Sequence, residues 1–131
     1  MTADPLKMSR FAGPFHALLR IVTGLLFLEH GTMKLLNFPP SEMKMPPGPL
    51  LWTAGTLELV GGFLVLIGLF TRPVAFLLSG QMAIAYWMAH APQSLYPAVN
   101  QGDAAILFCF VFLWLSAAGS GPWALDSRTK R

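Results

Sequence analysis

Apolar residues run almost unbroken along four stretches of the chain, and polar residues sit at a few positions inside them and in the links between. The stretch from Leu51 to Phe70, LWTAGTLELVGGFLVLIGLF, contains a single ionisable residue, Glu58. About 20 apolar residues at ~1.5 Å rise each match the ~30 Å hydrocarbon core of a bilayer, so this stretch predicts a membrane-spanning helix. The same pattern predicts four spans, at about 15–36, 51–70, 74–91 and 101–118. Punctuation supports the division. Pro14 suits a first helical turn, Asn37 to Pro40 stops the first span, and a proline-rich connection reaches Pro49. Thr71, Arg72 and Pro73 read as a tight turn, Pro92 ends the third span, and Gly119 to Pro122 stops the fourth. Met1 to Gly13 reads as a polar, mobile lead-in.

Helical spacing sorts the interior polar residues onto faces. Arg20, Thr23, Phe27, His30 and Lys34 share one face of the first span, with Arg20 placed so that its long stem reaches the headgroups. Gly55, Glu58 and Gly62 share a face of the second, where glycines let another backbone come close. Ser79, Met82, Tyr86 and His90 share a face of the third, while Gln81 points elsewhere, towards a neighbouring helix. Asp103 falls in the first turn of the fourth, where a carboxylate meets the positive end of the helix dipole.

Composition excludes an ordinary soluble domain. Of 131 residues, 54% are hydrophobic and 11% charged, with a mean hydropathy of +0.55. The fold class expected is therefore all-α, an integral membrane four-helix bundle forming a single domain over residues 1–131. Cys109 is the only cysteine, which excludes an intramolecular disulfide and a CxxC pair. The net charge of +3 does not point to nucleic acid, because the basic residues sit at the ends of apolar runs. Four spans put Lys7, Arg10, Arg72, Arg128, Lys130 and Arg131 on one side, against Lys34 and Lys44 on the other. The positive-inside rule then gives an up-down-up-down bundle with both termini cytoplasmic. The N-terminal segment lacks the order of a signal peptide and is expected to be retained.

This topology gathers polar groups from all four helices at one depth in the outer leaflet: Glu29, His30 and Lys34, then Glu58, then His90, then Asn100, Gln101 and Asp103. A carboxylate at membrane depth costs several kcal/mol unless it is paired, neutralised or wetted, so such residues mark sites. Glu58, His30 and His90 are the candidate catalytic residues. Against this stands a structural alternative, in which Glu58 pairs with Lys34 or a histidine and fixes helix register. His30, His90 and Glu58 also make a two-histidine, one-carboxylate set of the kind that binds iron or zinc, although no local spacing supports it. His16, near the cytoplasmic end, lies outside that set.

The chain resembles the DoxX family of small four-helix bacterial membrane proteins from Leu18 to Asp126. The resemblance rests on LLRIVTGLLFLEHGTMKL, TLELVGGFLVLIGLFTRPVA, His90, the run Asn100-Gln101-Gly102-Asp103, and GPWALD. It picks out Arg20, His30, Gly31, Lys34, Glu58, Gly62, Arg72 and His90; Asp103 stands where many members carry the longer glutamate. It implies the bacterial cytoplasmic (inner) membrane and quinone-linked redox or oxidative-stress chemistry, since the family is named for a subunit of a thiosulfate:quinone oxidoreductase. On that expectation Tyr86, Trp87, Phe27 and Trp52 line a quinone ring, His30, His90 and Glu58 bond its carbonyls and pass protons, and Lys34 and Asp103 complete the site. A quinone is the cofactor so implied, with haem or a metal as alternatives. The chain carries no flavin or dinucleotide fingerprint, so electrons come from a partner oxidoreductase. The alternative function is a non-catalytic anchor or assembly scaffold for that partner, in contact with lipid and open to self-association. A channel finds little room in one protomer of four short helices.

Overall fold

The structure, a computed structural model, describes residues 5–42 and 45–129, so Lys44, Lys130 and Arg131, used in the orientation argument, lie outside the described residues. Every regular element among the described residues is helical. A 3-10 turn, Met8–Phe11, leads into α1 (Ala12–Leu36), so part of the expected lead-in is ordered against the helix. Pro14 sits in the first turn of α1, where a missing N–H leaves nothing unpaired. α2 (Pro49–Ile67) opens on a proline and closes at Gly68, whose φ of 71° is the left-handed conformation that ends helices. α3 (Thr71–Ala85) starts at Thr71, so the tight turn lies at Gly68 to Phe70 and not at Thr71 to Pro73. Pro73 reads as a breaker in sequence, yet in a first helical turn it breaks nothing.

Beyond Ala85 the chain winds on through a wider π turn, Tyr86–His90, and a 3-10 turn, Ala91–Gln93. A one-turn helix, α4 (Pro97–Asn100), then precedes α5 (Asp103–Ala118), and α6 (Leu125–Thr129) closes the described chain. Three helical segments, Met8–Leu36, Pro49–Ile67 and Thr71–Gln93, are long and apolar enough to cross a membrane. α5, at 16 residues, is shorter, about 24 Å. Leu18, Leu19, Val22, Leu25 and Leu26 all stand exposed along α1, an outward surface suited to lipid.

α1 packs along α2, and α3 along α5. The first contact is close because glycines form it. A Cβ added to Gly24 would lie 2.6 Å from the Leu66 nitrogen, one on Gly62 2.6 Å from that of Leu28, and one on Gly31 2.4 Å from that of Leu59. The helix pairs meet in one apolar core, where Phe27 of α1 and Val65 of α2 join Leu78, Met82, Phe112 and Leu115. Phe27 and Phe112 meet edge to face at 4.9 Å. Gln81 reaches α2, with its Nε2 3.5 Å from the carbonyl of Ala54.

At the end where α1 begins, the segment after α5 folds back over the bundle. Arg20 is fully buried there and does not extend to headgroups as expected. Its guanidinium donates to the carbonyls of Ser120 (2.5 Å), Pro122 (3.0 Å) and Trp123 (2.9 Å). His16 donates through Nε2 to Gly119 O at 2.9 Å, and the Asp126 carboxylate accepts the N–H groups of Phe70 and Thr71 at 2.9 Å each. This end is therefore densely hydrogen-bonded as well.

Two outcomes follow for stability. Gly31→Ala forces the α1 and α2 backbones apart and lowers the unfolding free energy in detergent by about 1–3 kcal/mol, whereas Gly80→Ala, whose added Cβ meets nothing within 4 Å, leaves it unchanged or slightly higher. Arg20→Met leaves three carbonyls without their donor, and limited proteolysis then cuts between residues 119 and 129 under conditions where the unaltered chain resists.

Candidate functional site

Glu58 lies on the glycine face of α2, buried against α1. The glycines determine its partner. A Cβ on Gly31 would press on the Glu58 carbonyl carbon at 2.9 Å, and one on Gly55 would meet the Lys34 Cβ at 3.2 Å. With neither present, the helices close enough for the Lys34 ammonium to reach both Glu58 oxygens at 2.7 Å. The Glu58 side chain is 3% exposed and that of Lys34 26%. Two charges removed from water are costly, and short charge-assisted bonds to both oxygens recover that cost. The pairing named above as the structural alternative is thus the geometry found.

Of the other expected residues, His90 and Tyr86 join a second cluster, and the rest lie outside both. His30, one turn before Lys34, is exposed, and its ring stands edge-on to Phe108 at 6.0 Å. The buried stripe of α1 runs through Ala17, Arg20, Gly24, Phe27 and Gly31, which leaves position 30 at its edge. His90 donates through Nδ1 to the carbonyl of Asn100 at 3.0 Å, and its ring lies 6.3 Å from that of Tyr86. Asn100 is the centre of this cluster and is fully buried. Its Nδ2 donates to the Tyr86 hydroxyl (3.2 Å) and the Ser94 carbonyl (3.0 Å), while its Oδ1 accepts from the Gly102 N–H (2.8 Å). Gly102 is required here, because a Cβ would come within 2.5 Å of the Tyr86 ring.

Trp52 and Trp87 are exposed, and Asp103 is exposed on the first turn of α5. Among the described residues no three His, Cys, Asp or Glu side chains gather as metal ligands, so His30, His90 and Glu58 are not assembled into that set. What forms is an ion pair between α1 and α2, and a hydrogen-bonded cluster where the chain passes from α3 to α5.

Sequence reasoning placed Asn100 in the outer-leaflet polar group but gave it no individual role, although Asn-Gln-Gly before an apolar run is turn chemistry, and Gln101 takes a φ of 61°. It also passed over Asp126, whose signal lay in the GPWALD ending. Asp126 and Arg72 border a groove of about 590 Å³ at the end where α1 begins, with His16, Thr71 and the Gly119–Pro122 segment as its other walls. A second groove, of about 610 Å³, follows Ile67, Trp123, Leu125 and Arg128.

The DoxX family model matches residues 15–91. A protein from Haemophilus influenzae, described as an uncharacterized protein, is 39% identical over 128 residues, covering 93% of this chain and 96% of its own length. No solved structure matches the chain.

The buried pair generates a cycle of variants. Lys34→Met strands the Glu58 carboxylate in an apolar interface and costs about 3–5 kcal/mol. Lys34→Met combined with Glu58→Met regains most of that loss, because no charge is then left unpaired. Reversible unfolding in mixed micelles reads both, and a double variant no more stable than the single one counts against a mutual pair.

Proposed function

Because this chain belongs to the DoxX family, we propose that it is a membrane subunit which anchors and assembles a partner oxidoreductase in quinone-linked redox or oxidative-stress chemistry. It does so as an up-down-up-down four-helix bundle in the bacterial cytoplasmic membrane, with both termini on the cytoplasmic side and lipid around its apolar flanks. The single observation that carries this reading is the Lys34–Glu58 pair: both carboxylate oxygens are taken by the one ammonium at 2.7 Å, so the least comfortable charge in the bundle is used up in joining two helices.

What supports the scaffold reading is how the residues expected at a quinone are placed. Trp52 is exposed, Tyr86 accepts from Asn100, and the His90 ring is engaged by the Asn100 carbonyl. No proton-transfer step is therefore assigned to Glu58, His30 or His90, and the electrons and protons of the reaction belong to the partner. Lys34, Tyr86 and Asp103 serve packing and helix ends on this reading. The orientation follows the positive-inside argument from Lys7, Arg10, Arg72 and Arg128.

The double variant Lys34→Met with Glu58→Met tests the proposal. On the scaffold reading it folds, recovers the complex in mild detergent, and restores quinone-linked activity to cells lacking the chromosomal copy, where Lys34→Met alone does not. A double variant that folds and assembles but is inactive, with a bound quinone seen by native mass spectrometry only in the unaltered protein, overturns the scaffold reading in favour of a site.

A further inference from the structure

The groove at the end where α1 begins has the composition of a binding site, and nothing in the redox reading uses it. Arg72 stands exposed at its wall, at the start of α3. Its Nη1 donates to the carbonyls of Ser116 and Ala117, at the C-terminal end of α5, so the guanidinium is held in place by carbonyls and not by a carboxylate. A helix C-terminus carries partial negative charge, which favours a cation there and fixes it before any ligand arrives. Nη2 and Nε lie over Gly119, where a Cβ would come within 3.1 Å of Nη2 and 3.4 Å of Nε. Only glycine leaves room for the guanidinium at that position.

The charge balance favours an anion. Asp126 also borders the groove, but its two oxygens accept the N–H groups of Phe70 and Thr71, and its charge interacts with that of the buried Arg20. Among the described residues the Arg72 guanidinium bonds to backbone carbonyls and forms no salt bridge. The floor points the same way: Thr71 is 1% exposed, and its hydroxyl has no hydrogen-bond partner among the described residues. A buried hydroxyl left unpaired costs about 1–3 kcal/mol, and a small shift of the groove wall that opens it to a ligand oxygen or a water would offset that cost.

What lies next to the groove selects the kind of anion. The second groove shares Ser127 with the first and runs past Ile67, Trp123 and Leu125, an apolar path with Arg128 at its side. A free phosphate has no use for such a path, whereas an acyl chain does. Trp123 is exposed beside it, as tryptophans are at membrane interfaces. We propose that this paired groove is a phospholipid site, in which Arg72 holds the phosphate of an anionic headgroup and Ile67, Trp123 and Leu125 receive the beginning of its acyl chain.

The test uses the full chain in detergent, titrated with phosphatidylglycerol or with phosphatidylcholine of the same acyl chains, and followed by native mass spectrometry and by the thermal unfolding midpoint. Phosphatidylglycerol is expected to bind about tenfold more tightly than phosphatidylcholine, with Arg72→Gln removing that preference and Arg10→Gln retaining it. Because Arg72 also ties α3 to α5, Thr71→Val is the second variant. It keeps the shape and removes the unpaired hydroxyl, so it is expected to be at least as stable without lipid and to bind phosphatidylglycerol about threefold more weakly. Equal binding of both lipids, with Arg72→Gln and Thr71→Val unchanged, overturns the proposal. Displacement of phosphatidylglycerol by millimolar inorganic phosphate overturns the lipid assignment and makes the groove a site for free phosphate.

Discussion

The closeness of α1 and α2 governs the rest of the molecule. At Gly24, Gly31 and Gly62 one backbone lies where a side chain would otherwise be, and three glycines spaced along two helices hold the interface at that separation. In an apolar solvent, where burying leucine gains little over leaving it in lipid, such contact is what makes helices associate. The same closeness brings the Lys34 ammonium onto both oxygens of Glu58. A wider spacing would leave a carboxylate inside an apolar interface without a partner, so packing and charge satisfaction are one constraint met by one arrangement.

The two ends of the bundle solve the problem of buried polarity differently. Where Lys34, Glu58 and Asn100 lie, side chains satisfy side chains or local turns. Where Arg20 lies, a side chain satisfies the backbone of an irregular segment, three carbonyls within four residues. The second solution suits non-helical chain, whose carbonyls need donors that a helix would have supplied internally. Asp126 does the converse and accepts the N–H groups that the start of α3 leaves unpaired.

Much of this was legible in the sequence. Apolar run lengths located the long helices, and the recurrence of Gly55, Glu58 and Gly62 identified the face of α2 that meets α1. Lys34 was among the named partners for Glu58 because both lie near the same end. The rest was hidden for physical reasons. His30 differs from Gly31 by one position, which on a helix separates an exposed ring from a buried contact. Pro73 looks like a turn residue until the first helical turn is seen to tolerate it. The partners of Arg20 are carbonyls, which every residue possesses, so no side-chain pattern marks them. Asn100 carried a turn signal, but its burial depends on Tyr86 and Ser94 arriving from the far side of the loop.

The clasp around Arg20 also bears on how the molecule comes into being. Its partners lie 100 to 103 positions later in the chain. During synthesis the first helix therefore enters the membrane with a cation whose companions do not yet exist, and the carbonyls that receive it emerge only after the other helices have been made. The buried cation of the first helix thus waits for a segment made about a hundred residues later.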